Sequence, residues 1–311
     1  MSSRTRTWVR SSRQAGISLP KWSSALNRNP AIGFIGFGEA GSLIASGLRS
    51  EGLDRLFTFD VLNVQDRAAS NGAKVVESPA ALAEASDILI SAVTASSALD
   101  AAKQITPFLD SHHIYADINS VSPALKQEID GIIRSCNCVF VEAAVMAPVP
   151  PYAHRVPMLL GGNGAAIFAE IMSPFGMRLV ILEGCVGTAA AVKMCRSIVV
   201  KGLEALMFEC VLAASQFNAE DRVFESLNES FPGIEWTKLA DYMIGRVVIH
   251  GERRAHEMEE VAETLRAIGI DPIMAEATAR RQAWSVEMNL KSRFSTEGPA
   301  SYREVLDAIN K

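Results

Sequence analysis

Several features that would assign this chain to a broad class of protein are missing from its 311 residues. The formal net charge is −5, so no general basic excess points to nucleic acid as a partner. No apolar run approaches the roughly 20 residues that a membrane-spanning helix needs. The sequence therefore predicts a globular protein with neither a nucleic-acid partner nor a membrane segment. Its 49% hydrophobic residues are enough to build a large core.

Cysteine is scarce, and its spacing excludes the common zinc motifs. The count of five is odd, and the C-x-C pair at 136–138 has no second Cys or His pair to complete a site. We therefore expect reduced thiols, no bound metal and a cytoplasmic location.

Acidic residues are absent from the first 38 positions, where six basic residues and many serines occur. This composition suits a mitochondrial transit peptide, a disordered basic tail, or a start codon assigned too far upstream. We predict that residues 1–30 form a basic leader outside the fold. The mitochondrial matrix becomes the expected compartment if the leader is a transit peptide.

From Ala31 onward, short apolar runs of β type alternate with segments of helical length. Two of the helical segments, 78–86 and 122–135, begin with serine followed by proline, which is a common helix start. Such alternation is typical of a doubly wound parallel sheet with helices on both faces. The predicted strands are 31–36, 56–60, 87–93, 113–118, 138–145, 156–162 and 178–182.

The β pattern stops near residue 184. The remaining sequence reads as helices, interrupted by "FPG" at 231–233 and "GIDP" at 269–272. The sequence therefore predicts an α/β domain over 31–184, followed by an all-helical C-terminal domain over 185–311.

A glycine-rich turn closes the first predicted strand and opens a helix. The first glycine of this G-x-G-x-x-G motif allows the tight turn, the second lets the backbone approach a pyrophosphate, and the third lets helix and strand pack closely. The helix N-terminus then offers N–H groups to phosphates. This context predicts a dinucleotide site. The residues predicted to contact the cofactor here are Gly36, Phe37, Gly38, Glu39, Ala40 and Gly41.

Asp60 ends the second predicted strand, 19 residues after Gly41. A carboxylate at this position can accept hydrogen bonds from both ribose hydroxyls and would repel a 2′-phosphate. The sequence thus favours NAD, and Arg67 nearby leaves NADP open.

The segment 190–214 carries few polar side chains on an otherwise apolar helix. Lys193, Arg196, Ser197, Lys201 and Glu204 fall within an arc of about 140°. A helix that is apolar around most of its girth must be packed by protein, and its polar strip then faces a cleft. A lysine there loses its proton easily and can act as a general acid or base. A strip that faces solvent, or that pairs with acids of the other domain, is the alternative.

Together these segments resemble, over residues 32–311, the β-hydroxyacid dehydrogenase superfamily of 6-phosphogluconate and 3-hydroxyisobutyrate dehydrogenases. The resemblance implies a Rossmann-type domain and a long helix leading into a helical domain. It also implies dimers or higher oligomers built through that helical domain, and we expect a homodimer here. The segment "DINSVSP" (117–123) is similar to the family's substrate segment, which implies that Ser120 binds the substrate and that Asn119 lies beside substrate and nicotinamide. "EGCVGTAAAVKMCRS" (183–197) matches the family segment that contains the catalytic lysine, here Lys193. Val93 and Thr94, at the end of a predicted strand, are further expected cofactor residues.

Departures from the family pattern leave the identity of the substrate open. Arg196 and Ser197 replace an Asn-Asn pair, so we expect Arg196 to bind a substrate anion and Ser197 to orient the reacting group. Met146 lies in "EAAVMAP" (142–148), where the family has a glycine-containing loop that binds the substrate carboxylate.

The family's fourth segment, which closes over the cofactor, aligns here with residues 256–258. His256 is therefore expected at the cofactor. Arg254 is a further candidate for substrate contact, whereas the acids at 257, 259, 260 and 263 read as a solvated face.

We therefore expect hydride transfer between NAD(P) and the CH–OH carbon of a small, anionic hydroxyacid or related alcohol. Lys193 would act as general acid and base, with Ser120 and Ser197 as further catalytic residues. Reduction of an imine or an enone on the same scaffold is one alternative. A dinucleotide-binding sensor without catalysis is the other.

Overall fold

The computed structural model describes residues 29–295 and 297–310, so residues 1–28 of the predicted leader lie outside the described residues. Strands alternate with helices up to residue 181, as the sequence predicts. The strands are β1 (Ile32–Ile35), β2 (Leu56–Phe59), β3 (Lys74–Val75), β4 (Ile88–Ser91), β5 (Ile114–Asp117), β6 (Val139–Val145), β7 (Met158–Gly161) and β8 (Leu179–Ile181).

The eight strands form one sheet in the order β3-β2-β1-β4-β5-β6-β7-β8. All seven predicted strands are confirmed, whereas β3, with two residues, is too short to produce a recognisable pattern. The pairing is parallel except between β6 and β7. This exception was not expected, and it arises because residues 146–157 contain only one 3₁₀ turn, too little for the crossover that parallel strands require. The predicted α/β fold with a mostly parallel sheet is confirmed.

Helices cover both faces of this sheet and enclose two buried clusters. Ile44 and Leu48 of α1 pack with Phe168 of α6 on one face, and Leu82 of α3 packs near Ile129 of α5 on the other. The helices of this half are α1 (Glu39–Ser50), α2 (Gln65–Asn71), α3 (Pro79–Ala85), α4 (Ala98–Ile105), α5 (Pro123–Arg134) and α6 (Ala165–Met172).

Both predicted serine–proline helix starts are confirmed. The hydroxyl of Ser78 accepts a hydrogen bond from the Ala81 N–H, and that of Ser122 accepts one from the Leu125 N–H. Each serine thus satisfies one of the N–H groups that a helix start leaves without an intrahelical partner. Because Ser122 lies just after β5, its cap also fixes how the chain leaves the sheet near Ser120.

The second half of the chain is helical, as predicted. Met207 and Phe208 of α7 pack with Ile244 and Val247 of α9 and with Tyr302 of α11. Both expected interruptions separate helices. The helices are α7 (Thr188–Ser215), α8 (Glu220–Ser230), α9 (Trp236–Ala267), α10 (Ile273–Glu287) and α11 (Tyr302–Ile309). Within the described ranges, no helix combines the length and the apolar character needed to cross a bilayer.

The long helix α7 extends over about 42 Å and contacts α9, α10 and β6. The sequence predicts that protein packs around most of α7. Within the described part of the single chain, protein covers one side of this helix only. On the opposite side, Val192, Val199, Leu203 and Leu206 are between 42% and 61% exposed. These four residues repeat at helical spacing, so they form one apolar ridge along α7.

Candidate active site

The glycine turn lies between the end of β1 and the start of α1. Gly36 has φ +84°, and a Cβ there would meet the Ala92 carbonyl oxygen at 2.7 Å. A Cβ at Gly41 would meet the Gly36 carbonyl oxygen at 2.7 Å, whereas one at Gly38 would meet no atom within 4 Å. The backbone is therefore tightly packed on two sides and open at Gly38, as a site for a pyrophosphate in front of a helix requires.

Asp60, just after β2, is bonded to this turn. Its Oδ2 accepts a hydrogen bond from the Phe37 N–H at 2.7 Å, and its Oδ1 accepts one from the Leu62 N–H at 2.9 Å. The guanidinium of Arg67 donates to the Phe37 carbonyl oxygen at 3.1 Å. The Phe37 side chain is fully buried, so only its backbone is available to a cofactor, while Glu39 is exposed at the start of α1. Each Asp60 oxygen keeps a lone pair that a ribose hydroxyl could use.

The residues that follow β1, β4 and β5 define a crevice at the carboxyl end of the sheet. Asn119, after β5, accepts a hydrogen bond from the Val93 N–H at 2.8 Å and donates one to the Ser91 hydroxyl at 2.9 Å. It is buried and joins the ends of two strands. Thr94, beside Val93, is exposed and donates its hydroxyl proton to Ser97 at 2.9 Å. The strand order changes direction here, between β1 and β4, which is where ligands bind in open α/β sheets.

A buried ion pair lies beneath Asn119 and Ser120. The ammonium of Lys126, on α5, donates to the Asp117 carbonyl oxygen at 2.8 Å and lies 3.1 Å from its Oδ1. The same Oδ1 accepts the Asn119 N–H at 2.8 Å. Sequence reasoning missed this pair, because nothing in an amphipathic helix marks Lys126 as buried. The pair fixes the loop that presents Ser120.

Lys193 and Ser120 meet at this crevice. The Lys193 Nζ donates a hydrogen bond to the Ser120 Oγ, although the two residues are 73 positions apart. Ser120 is exposed at the end of β5, and Lys193 is half-buried in the second turn of α7. The structure therefore brings together the lysine and the serine that the sequence nominated separately.

Lys193 loses its proton more easily than an ordinary lysine. Its pKa is lowered to about 8, and burial is the largest cause. Glu257 opposes this change, and the cations Lys126, Lys201 and Arg253 lower the pKa further. An amine with this pKa exists in both protonation states near neutral pH, as a general acid and base must.

The first turn of α7 is held by a carboxylate from the sheet. Glu142, in β6, is fully buried and accepts hydrogen bonds from the N–H groups of Gly187 and Ala190, each at 2.7 Å. An anion at a helix N-terminus is favourable both for these donors and for the helix dipole. Lys193 lies three residues after Ala190, so Glu142 sets its position. Sequence reasoning counted Glu142 only as the start of a substrate loop.

The loop after β6 cannot offer the row of N–H groups that the family uses for a substrate carboxylate. The Met146 N–H already donates to the Pro157 carbonyl oxygen at 2.9 Å, and Pro148 has no N–H. Met146 is half-buried. Arg196 and Ser197 lie one turn beyond Lys193, the first exposed and the second half-buried. Among the described residues, Arg196 takes part in no ion pair.

Arg254, a further candidate for substrate contact, is engaged in a buried ion pair, and its contact with a substrate stays a prediction. Arg254 is 3% exposed, and its guanidinium binds both oxygens of Glu204 on α7. Arg246 also lies 3.3 Å from Glu204, and Gln282 donates to it at 3.4 Å. This network uses the Nε and Nη2 of Arg254 and holds α9 against α7.

Glu257 differs from its expected role, whereas the cofactor contact of His256 stays a prediction. His256 is exposed, and no hydrogen bond from it is found in the described part of the chain. Glu257, which the sequence assigned to a solvated face, turns toward α7, and its Oε2 lies 2.8 Å from the buried Lys201 ammonium. The polar stripe of α7 is thus divided. Lys193 faces the crevice, while Lys201 and Glu204 pair with α9.

A family model described as the NAD binding domain of 6-phosphogluconate dehydrogenase matches residues 31–180. A second, a domain of unknown function (DUF1932), matches residues 214–285. An uncharacterized 28.5 kDa protein of Methanothermus fervidus is 31% identical over 261 residues, which are 79% of this chain and 95% of that protein.

Human mitochondrial 3-hydroxyisobutyrate dehydrogenase is 27% identical over 201 residues. The match covers 62% of this chain and only 59% of the human enzyme. Among solved structures, a conserved hypothetical protein from Sinorhizobium meliloti superposes with a TM-score of 0.77 at 32% identity, covering 92% of this chain and 98% of that one.

Gly161 tests whether the Glu142 carboxylate positions α7. It pairs with Glu142 across β6 and β7, and a Cβ on it would lie 2.7 Å from the Glu142 Oε2. Gly161→Ala should displace that oxygen from the Gly187 N–H and lower the free energy of unfolding by about 1–3 kcal/mol, the cost of a disturbed charge-assisted hydrogen bond. Urea unfolding followed by circular dichroism measures the change.

Gly131→Ala is the matched control. Gly131 lies on the exposed side of α5, where an added Cβ meets no atom within 4 Å, so alanine should leave stability equal or raise it by up to about 1 kcal/mol. If Gly161→Ala is as stable as the wild type, the carboxylate does not hold α7 in the way described.

Proposed function

Because this chain belongs to the β-hydroxyacid dehydrogenase family, we propose that it transfers a hydride between NAD(P) and the CH–OH carbon of a small anionic hydroxyacid. Lys193 is the general acid and base of this reaction. The observation that carries the proposal is the hydrogen bond between the Lys193 Nζ and the Ser120 Oγ at the edge of the crevice.

The cofactor is assigned to the crevice by three features of the chain. Gly38 leaves open backbone in front of α1, Asp60 offers acceptors beside the turn, and Val93 and Thr94 line the end of β4. When bound there, a nicotinamide supplies the acceptor or donor for the hydride. Asn119 acts as a positioning residue, since both ends of its amide are used to hold β4 and β5 together.

The proton of the reacting hydroxyl goes to Lys193 during oxidation. The neutral amine of Lys193 takes this proton. The Ser120 hydroxyl, which now accepts a hydrogen bond from that amine, holds the substrate oxygen beside it. In the reverse direction the ammonium returns the proton to the developing alkoxide. Ser197, one turn further along α7, supplies a second hydroxyl on the same side as Lys193.

Arg196 binds the substrate anion in this proposal. The usual backbone donors are missing at Met146 and Pro148, so a side chain must replace them. A guanidinium suits the task because its planar donors match a carboxylate or a phosphate. Arg196 is exposed, is not used in an ion pair within the described residues, and lies three residues after the base.

The ridge of α7 supports a homodimer. Val192, Val199, Leu203 and Leu206 run along about 21 Å of the helix, and an apolar surface of this kind is normally covered. Members of the family are expected to assemble through this half of the chain, and we assign the ridge to a second copy. Arg196 borders the ridge, so the partner would lie close to the crevice.

The role of Lys193 is tested by two substitutions. Lys193→Ala removes the amine, and Lys193→Arg keeps a cation that cannot give up its proton near neutral pH. Both should lower kcat by at least about 100-fold, the usual contribution of general acid–base catalysis. Both should leave the NAD dissociation constant within about threefold. Turnover of a panel of hydroxyacids and sugar acids is followed at the nicotinamide absorbance.

The pH dependence gives an independent readout. Oxidation needs the neutral amine, so kcat/KM should rise with pH and level off above about pH 8, whereas reduction should fall over the same range. Lys103→Ala, an exposed lysine of α4, is the control and should behave as the wild type. Near-normal turnover by Lys193→Ala would remove the lysine from the mechanism, and tight NAD binding without any turnover would favour a sensor.

Asp60→Ala tests the assignment of the cofactor. Loss of the carboxylate should weaken NAD binding about 10- to 100-fold, since hydrogen bonds to a charged group contribute about 1.5–3 kcal/mol. NADP binding should stay equal or become tighter, because the charge that repels a 2′-phosphate is gone. Fluorescence titration with each dinucleotide measures both. Asp66→Ala, an exposed acid on α2, should change neither; unchanged NAD affinity in Asp60→Ala contradicts the assignment.

Leu203→Glu tests the dimer. A charge in the middle of the ridge should shift the protein from dimer to monomer by raising the dissociation constant at least 100-fold, as a buried unpaired charge is strongly unfavourable. Sedimentation velocity over a concentration series gives the masses. Phe108→Glu, which charges an exposed apolar residue of the other half, should leave the mass unchanged. A wild-type monomer at every concentration contradicts the proposal.

A further inference from the structure

A second lysine of α7 is buried close to the proposed base. Lys201 is 6% exposed and lies eight residues after Lys193, about 12 Å further along the helix. Its ammonium is 2.8 Å from the Glu257 Oε2 on α9. A lysine is seldom buried without a specific partner, and the carboxylate of Glu257 is that partner.

Glu257 is shared by several cations. Arg253, one turn earlier on α9, places its Nε 3.8 Å from the Glu257 Oε1, while Lys201 is bound to the other oxygen. Burial, the largest single effect, raises the pKa of Glu257, but the charge and hydrogen bond of Lys201 and the charges of Arg253 and Lys193 together leave it below its ordinary value. The carboxylate therefore stays charged at neutral pH.

Lys193 is surrounded by charges from four elements. The β5–α5 region contributes the buried pair of Asp117 and Lys126, and α7 itself contributes Lys201 and the exposed Arg196. From α9 come Arg253, Glu257 and Glu260.

Of these acids, Glu257 has the largest effect on the Lys193 amine. Burial raises the pKa of Glu260. Whether Lys193 has a counter-ion thus depends mainly on which ammonium group the Glu257 carboxylate binds.

We propose that Lys201 is a positioning residue that binds Glu257 and so withholds this carboxylate from Lys193. Lys193 is then left with a hydroxyl partner, Ser120, instead of an ion-pair partner, and its amine is free to exchange a proton with a substrate. The catalytic use of this arrangement rests on the proposed function, but the arrangement itself does not.

The proposal predicts that substitutions of Lys201 and of Glu257 shift the pKa of Lys193 in opposite directions. Lys201→Met keeps the length of the side chain and removes its charge, so Glu257 should turn to Lys193 and raise the pKa of that amine by about one pH unit or more. Glu257→Gln should lower the pKa of Lys193, because its main opposing acid is lost. Residues with a merely structural role would not shift one amine in opposite directions.

The double variant Lys201→Met/Glu257→Gln leaves no charge of the pair unpaired, so it should fold even if Glu257→Gln alone does not. The pKa of Lys193 should return to near its wild-type value. Compared with Lys201→Met, the removal of Glu257 should then lower that pKa by more than the same removal does in the wild type. This coupling is the signature of a carboxylate that Lys201 had withheld.

Competitive labelling measures the amine directly. The purified full-length protein is treated with trace acetic anhydride between pH 6 and 11, and the acetylation of each lysine is read by peptide mass spectrometry, with the exposed Lys103 as internal reference. Thermal unfolding confirms that each variant is folded. A higher pKa of Lys193 in Lys201→Met, together with a larger fall in that pKa when Glu257 is removed from Lys201→Met than when it is removed from the wild type, supports the proposal. Equal falls in the two backgrounds overturn it. An unchanged or lower pKa in Lys201→Met overturns it.

This measurement needs neither substrate nor cofactor, so a failed search for turnover leaves it valid. Conversely, an unchanged pKa of Lys193 in Lys201→Met would contradict the role proposed for Lys201 and would leave Lys193 as the proposed base. Where a substrate is found, the midpoint of the kcat/KM profile should move in the same sense as the labelling midpoint.

Discussion

The carboxylate of Glu142 joins the sheet to the helix on which the candidate site depends. Its two oxygens take the N–H groups of Gly187 and Ala190, so the first turn of α7 cannot slide or rotate without breaking charge-assisted bonds in the interior. A helix is stiff, and fixing its first turn also fixes Lys193 in the next. The antiparallel return of β7 places Gly161 beside this carboxylate and leaves room for it.

A second buried ion, Lys126, does for Ser120 what Glu142 does for Lys193. The ammonium fills the space under the β5 loop and binds both the carbonyl and the carboxylate of Asp117, whose Oδ1 also receives the Asn119 N–H. Ser120 and Lys193 are therefore positioned independently, Ser120 by Lys126 and Lys193 by Glu142. The amine and the hydroxyl meet where these two supports bring them together, and within the described residues the Lys193 amine forms no ion pair with an acid.

Local patterns predicted most of the fold. Alternating apolar runs gave the strands, serine–proline pairs gave two helix starts, and the glycine turn with Asp60 located the crevice, because each depends on neighbours in sequence. The buried charges were not predictable in this way. The partners of Glu142, Lys126 and Arg254 lie on other elements of the fold. The amino-acid type alone does not show whether a charged residue is buried or exposed. Which charged residues of α9 face α7 depends on how α9 is rotated about its own axis relative to α7.

The division of the α7 stripe follows from distance to the crevice. Near the N-terminus of the helix the surrounding chain leaves Arg196 exposed and Lys193 half-buried. Further along, α9 closes over the same face, and a charge must find a partner there or be excluded, which explains the pairing of Lys201 and Glu204. On the proposed mechanism, the base and the anion-binding group share one turn of one helix. A bound anion then favours the ammonium form of Lys193, so the enzyme would release its proton most readily once the substrate anion has left.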